Sequence, residues 1–153
     1  MATLFEKVTI GGVELKNRLV VTPMGFTAFD SDGGISDRMR NYFVERAKGG
    51  FGLIFPPAHF VSLKFEHPET NALENWNQGI RLGICVDQIH QYGAKFCMQL
   101  SLGRGRVNFV DPYTAPRSSS RNPSHWFPNL ICEPLTKEDI SYLIERFGYS
   151  ALL

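Results

Sequence analysis

Residues 36–55, SDRMRNYFVERAKGGFGLIF, decide the architecture. Ser36 is the N-cap type whose hydroxyl accepts an orphan N–H of a first helical turn, and Asp37 places negative charge where the helix dipole favours it. Met39, Tyr42, Phe43, Arg46 and Ala47 then recur at helical spacing, and Lys48 with Gly49-Gly50 supplies a basic last turn and a stop. Phe51 to Phe55 follows at once as a short apolar strand ended by Pro56-Pro57. A helix that runs through a glycine stop into a buried strand is the repeating step of a β/α fold.

The same step appears on both sides. Upstream, Leu19 to Thr22 is a β-branched run ended by Pro23, which suits a buried parallel strand. Before it, Val8 to Ile10 and Val13 to Leu15 flank Gly11-Gly12, a hairpin signal. Downstream, Pro56-Pro57 opens a loop containing His59, His67, Pro68 and Trp76. Ile80, Ile84 and Ile89 mark the apolar side of a second helix, Gly93 closes it, and Lys95 to Leu100 forms a third strand. Two such crossovers imply neighbouring parallel strands with right-handed connections. Ser101 to Pro134 is too long for a plain connection and lies beyond the C-terminal end of a parallel strand, where α/β domains gather their active sites. Thr136 and Asp139 then form a capping box, and Ile140, Leu143, Ile144, Phe147 and Ala151 continue a third apolar face.

Three parallel strands leave two bare edges, which invite pairing with another chain. The expected fold is therefore α/β, a partial TIM (β/α)8 barrel of about the first three β/α units with an N-terminal hairpin. Residues 1–153 read as one N-terminal portion of a barrel domain that is truncated relative to a closed one. A flavodoxin-like domain is the alternative, but it has five strands and a phosphate-cradling first turn.

Composition narrows the function classes. Of the 153 residues 43% are hydrophobic and 20% charged, and the net charge of +1 has no basic stripe, which gives no support to a general nucleic-acid binder. No stretch reaches the roughly 18 apolar residues of a membrane span, and Cys85, Cys97 and Cys132 read as reduced, mostly buried thiols, so the expectation is a soluble cytoplasmic protein. The four histidines have no metal-ligand spacing. Asp30, Asp32 and Gly33-Gly34 lack the later oxygen ligands of a calcium loop.

LFEKVTIGGVELKNRLVVTPM (4–24), DGGISDRMRNYFVERAKGGFGLI (32–54) and KFCMQLSLGRGR (95–106) together resemble the N-terminal half of the NADH:flavin oxidoreductases of the old yellow enzyme family. The likeness is strongest to the branch holding 2-enoate reductases, 2,4-dienoyl-CoA reductases and bile-acid-inducible flavoenzymes, and it runs from Leu4 to about Ser150. The resemblance implies FMN as cofactor, NAD(P)H as electron donor, and ping-pong reduction of an activated alkene (enoate, enone or dienoyl thioester). It assigns Pro23, Met24, Gly25 and Ala58 to contacts with the isoalloxazine ring and Gln99 to its pyrimidine edge. An amide at a strand end is costly to bury unpaired, and that edge offers both a donor and an acceptor.

Gly25 stands where relatives often carry a threonine or cysteine that tunes the flavin. Arg104 and Arg106 are candidates for a cofactor or acidic-substrate loop, or else solvent-facing charge, and Trp126 with Phe127 either shield the substrate side or pack the loop. The family's carbonyl-polarising pair and phosphate-gripping loops follow later strands. Weak FMN binding and negligible activity are therefore expected of these residues alone, with no catalytic residue assigned. A complementary C-terminal barrel fragment, as in a split flavoenzyme, or self-association of a noncatalytic interaction module through the strand edges are the partner expectations.

Overall fold

The computed structural model describes residues 3–25, 28–66, 70–107 and 113–153. A hairpin, β1 (Val8–Ile10) and β2 (Val13–Leu15), opens the chain, and Gly11 and Gly12 turn it with φ of 56° and 83°. Only residues without a Cβ take both positions readily. The central sheet follows: β3 (Val20–Val21), β4 (Leu53–Ile54) and β6 (Lys95–Phe96) pair in parallel in the order β3-β4-β6. That order is chain order, as in a barrel, whereas a flavodoxin-like sheet puts its first strand between the next two.

Helix α1 (Asp37–Lys48) begins as its sequence predicts, with the Ser36 side chain accepting from the Met39 N–H at 3.2 Å. Helix α2 (Trp76–His90) starts earlier than expected. Trp76 is its first residue, because Asn75 and Gln78 form a capping box that a search for Ser/Thr with Glu overlooks. Both helices cover one face of the sheet, where Met39, Phe43, Ala47, Ile54, Cys85 and Ile89 form the core with Val21 and Phe96 against it. The register neighbours Val20 and Lys95 point the other way and are exposed, as strand alternation requires. One face is packed on helices and the other is open, so the molecule is a partial, unclosed (β/α) barrel arrangement.

The second strand does not end at Pro56-Pro57. Pairing lapses over the two buried prolines, which have no N–H to donate, and resumes as β5 (His59–Phe60) against β7 (Leu100–Ser101). His59 N–H donates to the Gln99 carbonyl at 2.9 Å and Val61 N–H to that of Ser101 at 3.0 Å. His59 is thus a strand residue rather than a loop residue. Along 95–101 the odd-numbered residues bond inward to the second strand, leaving Phe96, Met98 and Leu100 to direct their backbone groups to the outer edge.

The long connection contains a 3-10 turn (Gly105–Val107) and a parallel pair, β8 (Arg117–Ser118) with β9 (Glu133–Pro134). Helix α3 (Lys137–Leu152) carries the expected Thr136–Asp139 capping box. It docks largely through polar contacts: Arg146 Nε donates to the Val61 carbonyl at 3.2 Å, Ser150 Oγ to that of Leu73 at 2.5 Å, and Tyr142 meets Ser62 Oγ at 2.9 Å. Of its apolar face Leu143 is buried, while Ile140 and Ile144 are exposed. The expected apolar side of α2 is corrected likewise, for Ile89 is buried but Ile80 and Ile84 are exposed. No described helix is long and apolar enough to cross a membrane.

Candidate functional site

The C-terminal ends of the parallel strands converge on an open cleft of about 280 Å³. Pro23, Met24 and Gly25 leave β3, Pro57 and Ala58 bridge β4 to β5, and Gln99 precedes β7; all line this one space, and so do Phe60, Thr70, Asn71 and Arg104. Six of the seven residues singled out from the sequence are therefore neighbours. Strand geometry explains it. Gln99 shares the open face with Lys95 and Cys97, so its side chain projects into the interior that the helices leave uncovered. At Gly25 an added Cβ would meet nothing within 4 Å, so that floor is open space, and Ala58 adds only a methyl group.

Arg104 is not solvent-facing charge. Its guanidinium donates to Thr70 Oγ1 at 2.9 Å, lies 5.3 Å from the Phe60 ring centroid, and faces Glu66 Oε2 at 3.5 Å. The Arg104 backbone N–H donates to Glu66 Oε1 at 2.6 Å. Gly103 permits this closeness, since with φ at 144° it takes a path few side chains tolerate and its missing Cβ leaves room for the Glu66 carboxylate. Burial raises the Glu66 carboxyl above its ordinary value, opposed by the Arg104 backbone N–H and charge.

Two residues carry no obvious sequence signal: Asn71, which lines the cleft, and Glu66, which stands behind Arg104. Glu66 and Asn71 sit in the irregular segment after β5, and only tertiary packing buries them. Asn71 is 9% exposed, and its Oδ1 has no hydrogen-bond partner. A buried acceptor without a partner is costly, and this one belongs to a residue that lines the cleft.

Other expectations are redirected. Arg106 is exposed and lines a neighbouring cavity of about 390 Å³ with Glu66, Arg117 and Leu143 rather than the cleft. Trp126 and Phe127 stay away from it too: Trp126 Nε1 donates to the Val107 carbonyl at 3.0 Å and its ring packs edge-on against His125, which fits the loop-packing alternative. Asp30 and Asp32 hold Arg81 at 3.0 and 2.5 Å. Burial pushes Asp32 up, but the Gly34 N–H and Arg81 outweigh it and keep its carboxyl below the ordinary value. Among the described residues no cluster of His, Cys, Asp or Glu could hold a metal; His67 lies outside them. The three cysteines are free, and Cys97 is exposed rather than buried.

The chemistry of this lining suits a flat, polar-edged heterocycle: two short backbone walls that carry little side-chain bulk at Gly25 and Ala58, and the primary amides of Gln99 and Asn71, able to donate and accept. Residues 3–153 match the family model described as NADH:flavin oxidoreductase / NADH oxidase family. The chain belongs to that family. Among its relatives, cinnamate reductase of Clostridium sporogenes is 34% identical over 158 residues, a match covering 97% of this chain and 23% of the relative. NADPH dehydrogenase of Halalkalibacterium halodurans is 31% identical over 152 residues, with 97% of this chain and 43% of the relative covered. The fold matches the crystal structure of Old Yellow Enzyme from Pichia sp. AKU4542 with a TM-score of 0.81 at 24% identity, covering 97% of this chain and 41% of that one. The chain therefore spans less than half the length of each of these relatives. FMN and NAD(P)H use is implied by family membership.

Proposed function

We propose that the cleft forms one wall of an FMN site, and that the family activity to which this chain contributes is NAD(P)H-driven reduction of an activated alkene in the enoate and dienoyl thioester branch. The observation that carries the reading is the convergence of Pro23, Met24, Gly25, Ala58 and Gln99 on one open space at the C-terminal ends of three parallel strands, where such folds site their chemistry. Pro23 to Gly25 and Ala58 would lie against the ring, and the Gln99 amide would meet its polar edge. FMN, when bound, supplies the hydride chemistry. These residues orient it and leave room for it. The 34% identity to a cinnamate reductase supports the enoate side of the branch.

Flavin fluorescence titration tests the proposal. The chain should bind FMN weakly, in the high-micromolar range or above, and Gln99→Leu should weaken binding about ten-fold, the size of one lost hydrogen-bond pair to a ligand. Unchanged affinity in that variant would remove Gln99 from the site. No quenching at all up to millimolar FMN would remove the site itself.

A second reading concerns partners, and rests on the outer edge at Phe96, Met98 and Leu100, unpaired among the described residues, together with exposed Ile140 and Ile144. Both surfaces suit another β/α unit laid in parallel against the third strand, supplied by a complementary barrel fragment or by a second copy of this chain.

A further inference from the structure

The cavity of about 390 Å³ beside the cleft has no part in the flavin reading, yet its volume is that of a small-molecule site. We propose that it is a second binding site, for a phosphorylated sugar, in which Arg106, Arg117, Ser118 and Ser119 hold the phosphate and Glu66 and Asn122 accept from hydroxyls. Its walls are tied together by backbone bonds. In the 3-10 turn the Arg106 carbonyl accepts from the His125 N–H at 2.8 Å. Arg117 and Ser118 form β8, fixed to β9 by the Glu133 N–H on the Pro116 carbonyl and the Leu135 N–H on that of Ser118, both at 2.9 Å. Arg104 lines both this cavity and the cleft, so the two spaces adjoin.

The donors suit an oxyanion. Glu66 is matched by Arg104 at 3.5 Å and Glu133 by Arg117 at 3.3 Å, which leaves Arg106 without an ion pair among the described residues. Glu133 is a weak competitor for Arg117, since its side chain is 58% exposed and surface pairs of this kind contribute little. The Arg117 guanidinium also lies 5.7 Å from the Phe65 ring centroid, a contact that steadies it before a ligand arrives. A phosphate monoester brings three strong acceptor oxygens, which two planar guanidinium forks and two hydroxyls can share.

The acceptors ask for something more than an anion. Glu66 Oε2 and Asn122 Oδ1 are buried without a hydrogen-bond partner, and both residues line this cavity. The Glu66 side chain is 3% exposed and is fixed by its Oε1, which accepts from the Arg104 backbone N–H at 2.6 Å. The Asn122 amide is oriented by its Nδ2, which donates to Ser120 Oγ at 3.1 Å. Two buried acceptors left unmet are costly, and a bare phosphate brings no donor for them. An ammonium group would bring donors but would stand among arginines. Neutral hydroxyls meet both acceptors without that repulsion, and a sugar joins them to a phosphate in one small molecule.

The test titrates the full chain, at about pH 7.5 where the phosphate is a dianion, with ribose 5-phosphate, ribose and inorganic phosphate. Saturation-transfer NMR follows the first two, and the third is read by its displacement of ribose 5-phosphate. The wild type should bind ribose 5-phosphate at least about ten-fold more tightly than either component. Arg106 is exposed, so Arg106→Gln should fold; it should weaken ribose 5-phosphate about ten-fold and leave ribose unchanged. Arg106→Lys, which keeps the charge without the fork, should recover part of that loss. Asn122→Ala should weaken ribose 5-phosphate several-fold and leave inorganic phosphate unchanged, whereas a loop merely disturbed by the substitution would lose both.

Equal binding of ribose 5-phosphate and ribose, inorganic phosphate bound as tightly as ribose 5-phosphate, no binding of any probe, or unchanged affinity in Arg106→Gln would overturn the proposal. FMN is itself a phosphorylated polyol, so the titration is repeated with saturating FMN, beside which ribose 5-phosphate should bind undiminished. Displacement by FMN would give the cavity to the flavin's own tail and overturn a second site. Sugar phosphate binding without any FMN uptake would sink the flavin reading alone.

Discussion

His59 should make this protein acid-sensitive at a pH where most of its carboxylates are still ionised. The imidazole is 2% exposed; its Nδ1 lies 2.8 Å from the Pro57 carbonyl, and its Nε2 is buried with no partner. A carbonyl only accepts, so Nδ1 carries the proton and Nε2 is the bare nitrogen. A second proton would have to enter at Nε2, where no acceptor awaits it. Burial therefore pushes the ring down from 6.5 to about 4, with the Pro57 bond pulling weakly the other way.

The unfolded chain binds that proton at an ordinary histidine value and the folded chain refuses it. The stability at stake is thus fully present above about pH 6.5, shrinks as pH falls, and is exhausted below about pH 4. A gap from 6.5 to about 4 corresponds to roughly 3 kcal/mol in total, of which roughly 2 kcal/mol is lost by about pH 5. Glu66 acts in the opposite sense, because a raised carboxyl takes up its proton more readily in the folded state, so the comparison must isolate His59. Urea unfolding followed by circular dichroism at pH 7 and pH 5, on wild type and His59→Gln, does so. The wild type should lose about 2 kcal/mol more than the variant over that interval, whatever their difference at pH 7. Equal losses would show that the buried ring is not refusing its proton and would refute the argument.

Two further outcomes follow from the helices. Thr136→Ala deletes the side-chain half of the capping box and should cost about 1 kcal/mol, read from the shift of the urea midpoint at constant slope. Ile144→Lys should change the stability of the chain by less than about 0.5 kcal/mol, since the residue is 66% exposed, yet suppress any concentration-dependent association seen by sedimentation. Persistence of that association in the variant would free this face of the partner role.

Much of this architecture is readable from local chemistry. Ser36, Gly11-Gly12 and the Thr136–Asp139 pair act through bonds within a few residues of themselves, so their sequence reading and their geometry coincide. The resumption of the second strand at His59 is different. Two prolines look like a stop, and what restores pairing is a carbonyl at Gln99, forty residues away. Periodicity at Ile80, Ile84, Ile140 and Ile144 correctly marks apolar helix faces but is silent on whether anything covers them. In the cleft, residues at strand ends were visible because β/α folds gather function there. Thr70 and Asn71 there, and Glu66 behind Arg104, were not, because an isolated polar residue in an irregular segment has no pattern until packing buries it.

The alternation that turns Lys95, Cys97 and Gln99 to the open face has a practical consequence. Cys85 and Cys132 are buried, and burial pushes the Cys85 thiol up to about 12, so neither competes for a thiol reagent in the native state. Cys97 is the accessible sulfur, two residues before Gln99 on the same strand. Wild-type protein can thus carry a single fluorophore or spin label beside the cleft without engineering, and that label would report occupancy of the space directly.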